Sequence, residues 1–160
     1  MTLQEQTLEI VRATLEDLPA LVPLFDGYRQ FYQQSSDLDG ARNFLQAHFE
    51  QNSSVIFLAF CLDTEGRRQA CGFTQLYLSF SSVSMKKLWI LNDLFVASEV
   101  RKLGVGSALL ARARTFAAET GAKGLTLMTA RDNTTAQAVY EAAGWQRDEE
   151  FYTYLMYLPS

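Results

Sequence analysis

The sequence predicts a mixed α/β fold whose sheet is mostly antiparallel. Apolar runs at hairpin spacing fill the middle of the chain, which calls for antiparallel pairing. The C-terminal half alternates strand, helix, strand, helix, which calls for a parallel crossover. A length of 160 residues fits one domain spanning 1–160, able to bury about two-thirds of its unfolded surface without staples.

LEIVRA (8–13) alternates like a strand. Thr14 with Asp17 three residues later resembles a capping box, opening a helix through Leu18, Leu21, Leu24, Phe25 and Tyr28. Pro19 and Pro23 predict that this helix is kinked or broken. Leu38, Ala41, Phe44, Leu45 and Phe49 share one face of a second helix across 38–50. VIFLAFCL (55–62) and ACGFTQLYL (70–78) read as a hairpin, and SFSSVSMKK as a polar loop after it. LWILNDLFV (88–96) is an apolar strand interrupted by Asn92 and Asp93. A helix over 104–120 ends at Gly121, a C-cap. GLTLMTA (124–130) is a strand, TTAQAVYEAA a helix stopped at Gly144, and EFYTYLMYL (150–158) a last strand.

Composition narrows the function classes. No apolar stretch approaches the ~20 residues of a membrane span, and MTLQEQTLEI lacks a basic and an apolar leader region, so a cytoplasmic protein is expected. A net charge of −4 argues against nucleic acid as a partner and suits a cationic small substrate. Cys61 and Cys71 do not form C-x-x-C and read as buried thiols. His48 has no partner at metal spacing and reads as a helix residue, so no metal is expected.

The stretch VRKLGVGSALLARA (100–113) is the most informative. Glycine costs roughly 1 kcal/mol against alanine inside a helix, so Gly104 and Gly106 at a helix start need a reason. One reason is close approach of an anion to unpaired backbone N–H groups at the positive helix end, with Arg101, Lys102 and Ser107 adding donors. The other is a loop end at Gly104, tight packing at Gly106 and a solvated basic pair. Neither the Walker nor the dinucleotide glycine spacing is present, since Leu109 stands where a third glycine would be needed.

LNDLFV, RKLGVG and the downstream DNTTAQAVYEAAGW together resemble the signature of the GNAT superfamily of acetyl-CoA-dependent N-acetyltransferases. The resemblance is strict over about 88–145 and implies a single N-acetyltransferase domain. It implies that Arg101, Lys102, Leu103, Gly104, Val105, Gly106 and Ser107 bind the coenzyme A pyrophosphate, chiefly through main-chain N–H groups. It further implies that the backbone of Leu94, Phe95 and Val96 pairs with the pantetheine arm, one N–H polarising the thioester carbonyl. In the pattern N-x-x-A-x-x-x-Y, Asn133 and Ala136 are implied to touch the cofactor, and Tyr140 to protonate the departing thiolate.

The sequence departs from the pattern at one place. The polyamine acetyltransferases carry an acid one residue before the strand Asp, where this chain has Asn92. Alternation along a strand predicts that Asn92 and Asp93 face opposite sides, leaving Asn92 to orient a water, Asp93 as structural acceptor or base, and the base itself unassigned between Asp93 and a water chain to bulk solvent. The acceptor expected from the resemblance is a small primary amine such as a polyamine or amino acid. Tyr28, Phe31, Tyr32, Phe80, Tyr152 and Tyr154, with Asp148, Glu149 and Glu150 nearby in sequence, are the candidates to line its site. A non-catalytic coenzyme A-binding regulatory module and a protein or peptide N-acetyltransferase are the alternatives. The aromatics alternating along EFYTYLMYL are a candidate homodimer contact.

Overall fold

Residues 7–160 are described by a computed structural model, and the chain divides into two units, Met1–Met128 and Thr129–Ser160. In the first, five strands lie in the order β1 (Thr7–Arg12), β2 (Val55–Leu62), β3 (Arg68–Ser81), β4 (Lys86–Val96) and β5 (Gly124–Thr126). The first three pairings are antiparallel and β4–β5 is parallel, the helix α3 (Val105–Glu119) making the crossover. This is the mixed, mostly antiparallel sheet that the sequence predicts.

The polar stretch 79–87 is no loop. Ser79, Phe80 and Ser81 continue β3, Lys86 and Lys87 begin β4, and Ser81 sits opposite Lys86. The ladder supplies these residues with backbone partners, so their polar side chains can stay in water. The turn shrinks to 82–85, with Met85 at φ 53.

Helix α1 (Leu18–Phe31) runs in one piece, not broken as its prolines suggest. Pro19 lies in the first turn, where its missing N–H has no helical partner, and Pro23 removes one further bond. The buried side chains of Leu18, Leu21, Val22, Leu24 and Phe25 hold the helix to the sheet regardless. Ahead of it Thr14 donates its N–H to the Asp17 carboxylate at 2.8 Å, the contact expected of a capping box. Helix α2 (Leu38–Gln51) follows, capped by Asp37, which accepts from the Gly40 N–H at 2.9 Å. Ala41 and Leu45 are buried beneath it, whereas Leu38 and Phe44 remain exposed.

The connection between α1 and α2 is tied to one buried carboxylate. Asp26 accepts from the Asp37 N–H at 2.8 Å, the Ser36 hydroxyl at 2.7 Å and the Gln30 amide at 2.9 Å. The Asp37 N–H, followed by the Ser36 hydroxyl, holds its pKa below the ordinary 3.8. Because the folded value is depressed, this stabilisation is complete above the unfolded value of about 3.9 and is lost as pH falls through the folded one. Asp26→Ala is expected to cost about 1–3 kcal/mol at pH 7, by orphaning these donors. Circular dichroism against denaturant and pH should show that loss, together with a shallower decline of stability below pH 4 in the variant.

The two sheet faces are covered by different helices. On one, Phe73 meets Phe25 and Tyr28 of α1 at ring separations of 6.0 and 5.8 Å. On the other, Phe116 of α3 meets Phe57 and Trp89 at 5.5 and 5.0 Å. Strand β2 is therefore buried on both sides from Val55 to Phe60, which explains its unbroken apolar sequence. Gly72 lets α3 come close. A Cβ there would stand 2.9 Å from the Phe95 carbonyl oxygen and 3.1 Å from Val105 Cγ1.

Strand β5 pairs only over Gly124–Thr126, shorter than the 124–130 expected. In the second unit, α4 (Thr134–Ala142) is capped by Asn133, and the chain turns away at Gly144 with φ +93. EFYTYLMYL is not a strand, and its side chains are exposed, Tyr152 at 91% and Tyr154 at 90%. Its β-propensity is real, but a strand exists only where a neighbour completes its ladder, and the second unit holds no strand to pair with it. The aromatics suggested as a dimer contact are thus not displayed along a strand.

Candidate active site

Two features of the first unit converge on the C-terminal end of β4. The first is an open edge. The β4–β5 ladder runs from Leu88 opposite Gly124 to Ile90 opposite Thr126, whereas β4 continues to Val96. Beyond Ile90 its β5-side edge has no paired strand among the described residues, and Leu94, Phe95 and Val96 lie on that stretch. An edge of this kind accepts an extended ligand as an added strand.

The second is the start of α3. Lys102 at φ 72 and Gly104 at φ +83 both take the left-handed conformation, so the backbone reverses twice within three residues. For lysine this conformation costs about 1–2 kcal/mol, and such strain is found where a loop is built to present its backbone. Gly104 is the N-cap and carries no capping side chain. The N–H groups of the first turn are left for another acceptor. Val105 is buried toward Gly72, and Ser107 is exposed. A Cβ at Gly106 would meet only Val96 Cγ2, at 3.7 Å. Internal packing therefore does not demand glycine here, and the position fits an anion that needs the space. The Arg101 side chain is turned toward the end of β4. Its guanidinium lies 5.8 Å from the Phe31 ring and 6.0 Å from that of Phe95, and its Nε donates to the Val96 carbonyl at 3.2 Å.

Asn92 and Asp93 do not simply point to opposite faces. Gln75 pairs with Asp93 and Leu76 with Leu91, so Asn92 is an extra residue bulged out of β4. The bulge breaks the alternation, and the Asn92 amide donates to Asp93 Oδ1 at 3.1 Å. The buried Gln75 donates to Asp93 Oδ2 at 2.7 Å and is itself bonded by Ser54, while Thr74 donates to the Asp93 carbonyl at 2.8 Å. Asp93 is 5% exposed, a carboxylate fixed from both sides.

Behind it stand Tyr77 and His48, 3.4 Å apart from hydroxyl to Nε2, with His48 Nδ1 against the Ser53 hydroxyl. Burial, then the Asp93 charge, pushes the Tyr77 pKa up to about 12. Burial lowers that of His48 below 6.5, against the pull of Asp93. Thr74, Gln75, Tyr77 and His48 were not recognisable as site residues, although the polar pair Thr74–Gln75 inside an apolar strand was a usable signal.

Of the acceptor candidates, Tyr28, Phe31 and Tyr32 come together, with Tyr28–Tyr32 ring centroids 5.1 Å apart and Phe31–Tyr32 5.3 Å. Tyr28 also meets Phe95 at 6.2 Å, which puts this group beside β4. Phe80 does not join them. It lies opposite Lys87, seven residues along β3 from Phe73, a separation on the order of 20 Å along a strand. Tyr152 and Tyr154 belong to the second unit and are exposed. There Asn133 Oδ1 accepts from the Ala136 N–H at 3.2 Å, so Asn133 caps α4 and Ala136 supplies the capped amide. Tyr140 is half-buried on α4, its ring 6.3 Å from that of Trp145. Among the described residues no three His, Cys, Asp or Glu side chains form a metal site. No helix among them is long and apolar enough to cross a membrane.

Comparison with known proteins gives a consistent result. The family described as acetyltransferase (GNAT) matches residues 21–145, a span that runs across both units. The chain is 45% identical over 153 residues to an uncharacterized N-acetyltransferase, YhfO, of Bacillus subtilis (strain 168), covering 96% of this chain and 99% of that one. A crystal structure of a probable acetyltransferase matches with a TM-score of 0.88 at 43% identity, covering 95% of this chain and 99% of the other. An aminoglycoside N-acetyltransferase in complex with CoA shares the fold, with a TM-score of 0.76 at 18% identity over 98% of this chain and 99% of its own. On the strength of the family match and of the 45% identity over nearly its whole length, this chain belongs to the acetyltransferase (GNAT) family.

Proposed function

We propose that the protein transfers an acetyl group from acetyl-CoA to the primary amine of a small molecule, residues 1–160 acting as one domain. The observation that carries this reading is the open edge of β4 beyond Ile90, next to a helix start that packing alone does not require to be glycine. Bound acetyl-CoA supplies the activated thioester. The first-turn N–H groups from Gly104 to Ser107, with Lys102, hold the pyrophosphate. Leu94, Phe95 and Val96 hold the pantetheine arm by main-chain bonds, and an N–H among them stabilises the oxyanion that develops as the amine attacks.

Asp93 is the carboxylate on the reacting strand and takes the proton that the substrate ammonium loses before the neutral amine attacks. Asn92 and Gln75 aim it, each donating to one of its oxygens. Tyr140 gives its proton to the departing thiolate, a phenol of pKa near 10 serving a thiol of about 8.5. The Tyr28, Phe31 and Tyr32 rings receive the acceptor.

The test is thiol release from acetyl-CoA with polyamines, amino acids, aminoglycosides and peptides, each product confirmed by mass. Release matched by N-acetylation of a small amine is the expected result. Acetyl-CoA binding without release for any acceptor would favour a non-catalytic coenzyme A-binding module, and release with peptides alone a protein N-acetyltransferase.

A further inference from the structure

The chain's two cysteines, unremarkable in sequence, meet on the sheet. β3 bulges where Ala70 pairs with Phe60 and Gly72 with Ala59, so Cys71 is the extra residue between them. The bulge turns its thiol toward Cys61 on β2, and the two Sγ atoms lie 2.7 Å apart, both in the free thiol state. They differ in access. Cys71 is 2% exposed and its sulfur also faces the Ala59 carbonyl at 3.5 Å, whereas Cys61 is half-buried. Both line a cleft with Asp63, Arg68, Glu99 and Val100.

We propose that Cys61 and Cys71 are a thiol–disulfide couple, Cys61 being the site modified by low-molecular-weight disulfides and Cys71 the thiol that resolves the adduct. In the first step the Cys61 thiolate attacks one sulfur of the reagent. A Cys61–reagent disulfide forms, and the other half leaves as a thiolate that takes up a proton. In the second step Cys71 loses its proton to solvent and attacks Cys61 Sγ, expelling the second half as thiol. The sum is two protein thiols plus one reagent disulfide giving one protein disulfide plus two reagent thiols. Burial, and then the adjoining Cys61 sulfur, push the Cys71 pKa up, so little thiolate is present at neutral pH. Closure is then the slower step, and its rate rises about tenfold per pH unit while Cys71 stays below its pKa.

The bulge is tied to the end of β4. The Cys71 carbonyl accepts from the Ala97 N–H at 2.8 Å, directly after β4 and a few residues before the strained turn at Lys102.

The experiment follows full-length native protein treated with bis(2-hydroxyethyl) disulfide, by intact mass and thiol count between pH 7 and 9. A transient adduct of one reagent half is expected, giving way to a protein lacking two hydrogens and both free thiols, faster at higher pH. Cys71→Ser should stop at the adduct, and Cys61→Ser should react at least tenfold more slowly. Quenching wild-type protein at short times and mapping the adduct by peptide mass reads the same order without any variant. A lasting adduct in the wild type beside a free Cys71, or first modification at Cys71, would overturn the proposal.

Discussion

Tyr140→Phe is expected to lower turnover by about 10²-fold or more while leaving acetyl-CoA affinity close to wild type. The change removes one hydroxyl and keeps the ring that lies against Trp145, so α4 should fold as before. A general acid acts only as the thiolate departs, so its loss belongs in the chemical step and not in the binding of the donor. The measurement is a matched pair, turnover with the best amine and donor affinity by calorimetry, on the same folded variant. Unchanged turnover would exclude a catalytic hydroxyl. Equal losses in both would make Tyr140 a donor-binding residue.

Gly106→Val should separate donor binding from folding. In the wild type, acetyl-CoA at about a hundredfold over its dissociation constant should stabilise the protein by roughly 2.7 kcal/mol through mass action. The variant should lose most of that shift, since a branched side chain in the first turn of α3 occupies the space assigned to the pyrophosphate. Its own stability should not fall, because the nearest atom to an added Cβ is Val96 Cγ2 at 3.7 Å and glycine is the poorer helix former. Melting curves with and without acetyl-CoA read both quantities. A folded variant with an undiminished ligand shift would remove the pyrophosphate from this helix end.

Gly104 and Gly106 were conspicuous in sequence because a helix start shows its unusual residues locally. Gly72 carries as much structural weight and was invisible. Its requirement comes from the Phe95 carbonyl and Val105, more than twenty residues away, which a Cβ would crowd. The same distinction separates α1 from its prolines. Local propensity counts the lost hydrogen bond, whereas the structure also counts the buried side chains from Leu18 to Phe25 that hold the helix in place.

By itself the sequence determined the mixed sheet and the glycine-started helix, since periodicities and caps are written within a few neighbouring residues. Tertiary structure decided what depends on strand register. Two bulges, at Asn92 and at Cys71, turned side chains that simple alternation keeps apart into the Asn92–Asp93 pair and the Cys61–Cys71 contact. It also parted Phe80 from Tyr28 and Tyr32 along β3. A bulge shifts the whole register by one residue and is set by how two strands fit each other, so no pattern within either strand announces it.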